Sequence, residues 1–339
     1  FVPIQSFRGT FDGGGYEITG LTIDRGGEQN VGLFGSSQGT IEDVKLSSVD
    51  ISGGENTGGL VGEQRGTVQS ASVSGTISSS AAKTGGVVGH NTADSAVVSS
   101  TADVSISVQS DRSGGLVGRN DGLVQQSYAL GEVSTQYNDN VVGGLVGYSE
   151  GIVNQSFAEV AVNAGGGSDS VGGVVGSLQA GEVTRSYALG SVSGDDHVGG
   201  LVGNSDGTVA LSFAAASVSG DDDVGGLVGQ NNNAIAVSYY DTLESGQDTS
   251  SHNGVTGLST GEMTSSLAGD NMAGFDFSAT GAWTLQASDY PTLAWRSGSG
   301  VPPANQSSNT VVVSPTCDTV TYEGSGTVSD PYFVDTVSE

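Results

Sequence analysis

A four-residue phrase recurs eight times in this chain: Gly32-Leu33-Phe34-Gly35, then Gly-Leu-Val-Gly or Gly-Val-Val-Gly beginning at Gly59, Gly86, Gly115, Gly144, Gly173, Gly200 and Gly226. The intervals are 27, 27, 29, 29, 29, 27 and 26 residues. Self-similarity at that period belongs to stacked supersecondary units, each touching only its neighbours, rather than to a globule around one buried centre. With 57 Gly, 6 Pro and 35% hydrophobic residues among 339, the chain can bury a long thin core but not a thick one.

Within each repeat the apolar positions alternate over short runs, and no run sustains a helical period. Seven residues after the first Gly of the phrase stand Gly39, Gly66, Gly122, Gly151 and Gly207, with Asn233 in the last copy and Gly181 displaced by one residue. Gly exchanged for Asn predicts a left-handed backbone angle at a tight corner. Two residues on come Ile41, Val68, Val124, Val153, Val183, Val209 and Ile235. Then follow Ser127, Ser156, Ser186, Ser212 and Ser238, each directly before an aromatic: Tyr128, Phe157, Tyr187, Phe213 and Tyr239. Strand alternation puts each aromatic on the face of the Val or Ile four positions earlier. The serines then face outward, and the aromatics form an internal stack along the coil axis. An exposed aromatic ladder for sugars is the functional alternative.

The expected fold is all-β: a parallel β-solenoid, a three-sided β-helix of about nine coils over residues 1–240. At roughly 4.8 Å per coil its body is about 40 Å long. The period stops after Tyr240. Residues 241–297 read as a C-terminal cap over the open edge of the last coil, 298–309 as a Ser/Pro/Asn linker, and 310–339 as a strand-rich tail.

The phrase, the corner Gly, and Ser-aromatic-Ala before Gly-x-Val-Ser together resemble the GLUG repeat. Phe7-Arg8-Gly9-Thr10-Phe11-Asp12-Gly13-Gly14-Gly15-Tyr16 is similar to the start of such arrays, and Tyr290-Pro291-Thr292-Leu293-Ala294-Trp295 to their close. The resemblance covers about residues 1–297. GLUG repeats occur in large secreted or surface-attached prokaryotic proteins: adhesins, haemagglutinin-like proteins and the non-catalytic part of some immunoglobulin-cleaving metallopeptidases. It implies an extracellular or cell-surface scaffold, adhesive or filament-forming, whose partners are further copies of itself or surface glycans. The repeat serves that family as a scaffold, so it speaks for fold more than for activity.

Parallel β-helices also include polysaccharide lyases and hydrolases, so a carbohydrate-active or carbohydrate-binding protein is the alternative. His90, His197 and His252 are the only histidines, and neither H-E-x-x-H nor G-x-S-x-G occurs. His90 and His197 read as solvated turn residues and His252 as part of a polar loop, so no catalytic residue is assigned and a non-enzymatic role is expected. Lone Cys317 excludes an internal disulfide framework.

Nine Lys and Arg stand against 37 Asp and Glu, a formal charge of −28. Such a surface repels nucleic acid and anionic lipid, and no apolar run reaches the length of a membrane-spanning helix. Four residues before each phrase stand Glu28, Glu55, Ala82, Asp111, Asn140, Asp169, Asp196 and Asp222. Equal register predicts a ladder down one edge, thickened by Asp139, Asp195, Asp221 and Asp223. Carboxylates about 5 Å apart repel by roughly 1 kcal/mol even in water, so they need screening by salt or bridging by a cation such as Ca²⁺. The candidate metal ligands are therefore Asp111, Asp139, Asp169, Asp195, Asp196, Asp221, Asp222 and Asp223.

The two ends supply a last expectation. Phe1-Val2-Pro3-Ile4 begins within an array already under way, as in a processed or excerpted chain, and Gly324 to Asp335 resembles the opening strand such arrays have. A head-to-tail contact is expected in which Tyr332, Phe333 and Val334 add a strand to a first coil presenting Phe1, Val2 and Ile4. Such a heterologous contact builds filaments. A longer protein carrying successive modules accounts for the same ends.

Overall fold

The structure is a computed structural model of the chain. It describes residues 1–109, 111–135, 141–165, 167, 170–248, 252–297, 322–323 and 333–334. Two compact units are resolved, Phe1–Ala294 and Trp295–Glu339.

The first unit is a parallel β-solenoid. Each coil contributes one strand to each of three long sheets. The phrase sheet has eight strands, from Phe34–Ser37 to Val228–Asn231, and the valine sheet nine, from Thr10–Asp12 to Ile235–Ala236. The long sheet has 11 strands, starting with Glu17–Thr19 and ending with Ser238–Asp241 and Val255–Leu258. About eight complete turns result. A fourth ladder, six strands of two or three residues from Thr57–Gly58 to Val198–Gly199, sits at the corner before each phrase. The sequence suggested three strands per coil, and this fourth was too short for any alternation to reveal it. Helix is confined to Thr242–Ser245, Thr260–Met263, Leu267–Asn271 and a 3-10 turn at Ala294–Ser297 among the described residues. None of these is long and apolar enough to cross a membrane.

Like stacks on like. Val124, Val153, Val183 and Val209 pair in succession across the valine sheet, all fully buried. A polar column runs beside them: Gln64, Asn91, Asn120 and Ser149 are in register inside the phrase sheet. Asn91 Nδ2 donates to Asn120 Oδ1 at 2.8 Å, and Asn120 Nδ2 to Ser149 Oγ at 3.2 Å. From Asn91 to Ser149 these groups satisfy one another from coil to coil, which makes their burial tolerable, and Gln64 Nε2 donates to Gly39 O at 3.3 Å.

The phrase itself is a corner. Leu116 and Val117 are both fully buried, and both N–H groups donate to Leu145 O, at 2.9 and 3.0 Å. A Cβ on Gly115 would lie 2.2 Å from Gly144 O and 2.8 Å from Ala129 Cβ, so the coil closes around a position that admits no side chain. At the end of the stack Tyr240 takes the place of the inward Ala214 and fills the interior beneath Gly226.

Two expectations about the coil are corrected. Among the corner glycines only Gly181, beside the inserted residue, has a left-handed φ, +69°. The others are glycine because the coil below is too close: a Cβ on Gly122 would lie 2.2 Å from Ser95 O, and one on Gly151 2.0 Å from Gly122 O. The left-handed residues come at the next bend and are not glycine: Gln126, Gln155, Arg185, Leu211 and Val237, with φ between 46° and 51°. Each of the first four donates its N–H to the next coil, as Gln155 does to Thr184 O at 3.0 Å, and repetition of that bond holds the disfavoured angle.

That bend reverses the alternation that assigned faces to the serines and aromatics. Ser127, Ser156, Ser186 and Ser212 point inward and are fully buried. They form a hydroxyl ladder: Ser127 N donates to Ser156 Oγ at 3.2 Å, and Ser156 Oγ donates to Asn154 O at 2.9 Å. The aromatics lie on the outer side of the long sheet, since Ala129, Ala158, Ala188 and Ala214 beside them belong to the interior. Ser156→Val is therefore expected to destabilise the fold by about 1–3 kcal/mol, because it leaves the buried Ser127 N–H without an acceptor. Urea denaturation checks this; a change under about 0.5 kcal/mol would return Ser156 to the surface.

The outward aromatics stack in parallel: Tyr128 on Phe157 at 4.8 Å, Phe157 on Tyr187 at 4.8 Å, and Tyr187 on Phe213 at 5.1 Å, all within 3°. The segment after Tyr240 covers the later members of this column. Val255–Leu258 first adds an edge strand beside Ser238–Asp241. The chain then lays Trp283 against Phe213 and Tyr187, at 5.6 and 6.1 Å, and Phe275 against Tyr239 at 5.5 Å. Tyr290 OH donates to the buried Asp241 at 2.7 Å. Burial and that carboxylate push the Tyr290 hydroxyl well above the usual tyrosine range. The cap thus does more than close an edge: it covers one outer face of the last coils.

In the second unit Tyr322–Glu323 pairs antiparallel with Phe333–Val334. The linker 298–309 and most of the tail lie outside the described residues.

Candidate functional site

The acidic edge is where the sequence placed a cation. Asp196 and Asp222 face each other in a parallel bridge, and the N–H groups of Asp221 and Asp222 donate to Asp195 O at 2.8 and 3.1 Å. Asp195, Asp196, Asp221, Asp222 and Asp223 therefore share one corner of two adjacent coils. Asp221, Asp222 and Asp223 are exposed, and Asp195 and Asp196 are partly so. Asp195 accepts from Gly167 N, and Asp223 lies 3.4 Å from His197. Asp111 stands on the same corner several coils away, where it pairs with Arg112 at 3.2 Å. Asp139 and Asp169 lie outside the described residues. No three His, Cys, Asp or Glu among the described residues come together as a metal site.

Earlier coils neutralise the same corner from within. Lys83 follows the acid position by one residue, and its Nζ reaches back one coil to Glu55 Oε1 at 2.7 Å. That hydrogen bond and charge hold Glu55 below the usual carboxylate range.

Next to this corner, the outer face of the phrase sheet carries a charged column that sequence reasoning missed. His90 is in register with Glu63 below and Arg119 above, and Arg119 with Tyr148. His90 is thus a strand residue and not a turn residue; its position four after the phrase Gly, shared with Glu63, Arg119 and Tyr148, was the available signal. His90 Nε2 lies 2.8 Å from Asp121 Oδ2, and Arg119 Nε 2.7 Å from Asp121 Oδ1. Arg119 also reaches Glu150 at 3.2 Å, to which Tyr148 OH donates at 2.7 Å. The guanidinium groups of Arg112 and Arg119 lie 4.8 and 4.9 Å from the centre of the Tyr148 ring. Every acid here has a base beside it, so the column ties coils together.

Burial alone would raise the Asp121 carboxyl, but the hydrogen bonds from His90 and Arg119 outweigh it and hold Asp121 below its ordinary 3.8. A carboxyl depressed in the folded state contributes stability above its unfolded value, and the contribution disappears as pH falls through the folded value. Asp121→Asn is therefore expected to lower the melting temperature at pH 7, with the gap to the parent closing below about pH 4. A gap that persists at pH 2 would mean packing, not charge, accounts for the loss.

At the opposite end of the stack Phe1, Val2 and Ile4 are exposed. They lie along the first coil, whose strands Thr10–Asp12 and Glu17–Thr19 each pair on one side only among the described residues. The structure pairs Phe333–Val334 within its own hairpin, and Tyr332 lies outside the described residues.

No family model matches the chain. A 37-residue stretch, 11% of the chain, is 54% identical to halomucin of Haloquadratum walsbyi. The match spans a share of halomucin's own length that rounds to 0%.

Proposed function

We propose that this chain is a non-enzymatic extracellular scaffold, adhesive or filament-forming, built from GLUG-type repeats. The observation that carries the reading is the continuous register of the phrase sheet. From Phe34 to Asn231 the same columns repeat coil after coil, which suits a spacer or display surface better than a single reactive centre. The net charge of −28 and the short likeness to halomucin support a place outside the cell. Antibody labelling of intact source cells tests this: the epitope should be accessible without permeabilisation, and signal only after lysis would end the proposal. In its finer form, the edge of the first coil accepts a strand from the tail of another copy. Electron micrographs of the full chain and of one lacking residues 298–339 decide that; assembly unchanged by the deletion rules it out.

In the same reading the acidic corner is screened by salt, with Ca²⁺ as the rival. Ca²⁺ and NaCl at matched ionic strength should raise the melting temperature equally if screening alone acts. An extra gain from millimolar Ca²⁺ would establish binding to the folded state.

A further inference from the structure

The outer face of the long sheet changes character along its length. In the last coils it is aromatic and covered; in the first it is a grid of hydroxyls. Ser52, Ser78 and Ser107 stand in register on three adjacent strands, and the neighbouring Ile51, Ile77 and Ile106 point inward and are buried. Here the surface is concave. The turn at Arg25–Glu28 rises beside the strands, held by the Arg25–Glu28 ion pair at 2.6 Å and by Ser80 Oγ, which donates to Gly26 O at 2.8 Å. Together with Gln109 these residues leave a shallow groove lined by Gly26, Ser52, Ser78, Ser80 and Ser107, with the buried Ser79 beneath.

The chemistry of the lining is selective. Every side chain in it is neutral, and hydroxyl and carboxamide groups both donate and accept. Ser78 Oγ gives its proton to Ile51 O at 3.3 Å, which leaves its lone pairs as acceptors toward the groove. Asp24, Asp50 and Asp103 are exposed on the same face, so the surrounding field opposes an anion. The hydroxyls recur at the strand spacing of about 4.8 Å, which matches an extended ligand with hydroxyls at short intervals along it better than a compact one.

We propose that this groove binds a neutral glycan chain, one without carboxylate, sulfate or phosphate groups, lying along the coil axis. This deepens the adhesive reading and rests on it for its biological setting, but binding by the purified chain and display on cells are measured separately and can fail separately. The experiment is titration calorimetry of the full chain with cellohexaose, chitohexaose and mannohexaose, and with hexagalacturonate as the acidic counterpart. At least one neutral hexasaccharide should bind, and hexagalacturonate should bind about tenfold more weakly or not at all. A Ser78→Asp, Ser107→Asp double variant should weaken neutral binding by about tenfold or more, as expected for two lost hydrogen bonds. Ser193→Asp, in the same column beyond the groove, should leave it unchanged. Both sites are exposed, and circular dichroism confirms that the double variant folds. The proposal is overturned if none of the three neutral sugars binds, if hexagalacturonate binds equally well, or if the folded double variant binds like the parent.

Discussion

Gly122→Ala is expected to destabilise the solenoid by about 3 kcal/mol, although it adds a single methyl group at a position with an ordinary backbone angle. The new Cβ would stand 2.2 Å from Ser95 O and 2.6 Å from Thr92 O. Both are backbone atoms of the preceding coil, and they cannot move without opening the hydrogen bonds that stack it, such as Leu123 N to Ser95 O at 2.9 Å. Gly27→Ala is the control, since nothing lies within 4 Å of its added Cβ; it should change stability by less than about 1 kcal/mol, in the stabilising direction. Chemical denaturation of the pair separates the two accounts of the corner. Equal effects would mean that conformational freedom, not coil-to-coil approach, selects glycine there.

The corner shows where sequence reasoning reaches its limit. The repeat phrase was enough to place the coils from Gly32 onward, because from Gly59 to Gly226 glycine at the first phrase position is demanded by closure against Ala129 and its equivalents, and that demand recurs in each of those copies. The inward valines were legible for the same reason. The faces of Ser156 and Phe157 were not, because alternation is continuous only along an unbroken strand and Gln155, at φ 48°, interrupts it. No glycine marks that bend: Gln126, Gln155, Arg185, Leu211 and Val237 share only their place in the stack. The charged column was missed on different grounds. Glu63, His90, Arg119 and Tyr148 have no common chemistry, so a search for repeated residue types passes over them, although together they form a set of complementary charges. The acidic corner was legible as a position, but its local compensation was not, since the bridge from Lys83 to Glu55 crosses between coils.

Trp283→Ala should have the largest effect of any side-chain truncation in the cap, about 3–5 kcal/mol. Trp283 is 2% exposed and stacks on Phe275 at 4.7 Å while touching Phe213 and Tyr187. Without it, the segment loses its ring contacts with Phe213 and Tyr187, and the outer face of the long sheet becomes wet in the last coils. The solenoid beneath is joined by its own ladders and should stay folded, so the loss is local. Hydrogen exchange is the fitting measurement: protection should fall over residues 260–293 and stay high at Val153 and Val183. Cleavage by a protease should begin after Tyr240. Tyr128→Ser, at the half-exposed start of the same column, should cost clearly less than Trp283→Ala, because a ring that is only partly buried leaves no enclosed cavity behind. Had the aromatics formed the axis of the coil, the order would invert: Tyr128→Ser would open a cavity in the middle of the stack, and Trp283→Ala would leave Phe213 as protected as before. The two variants together therefore decide which side of the long sheet the aromatic column belongs to.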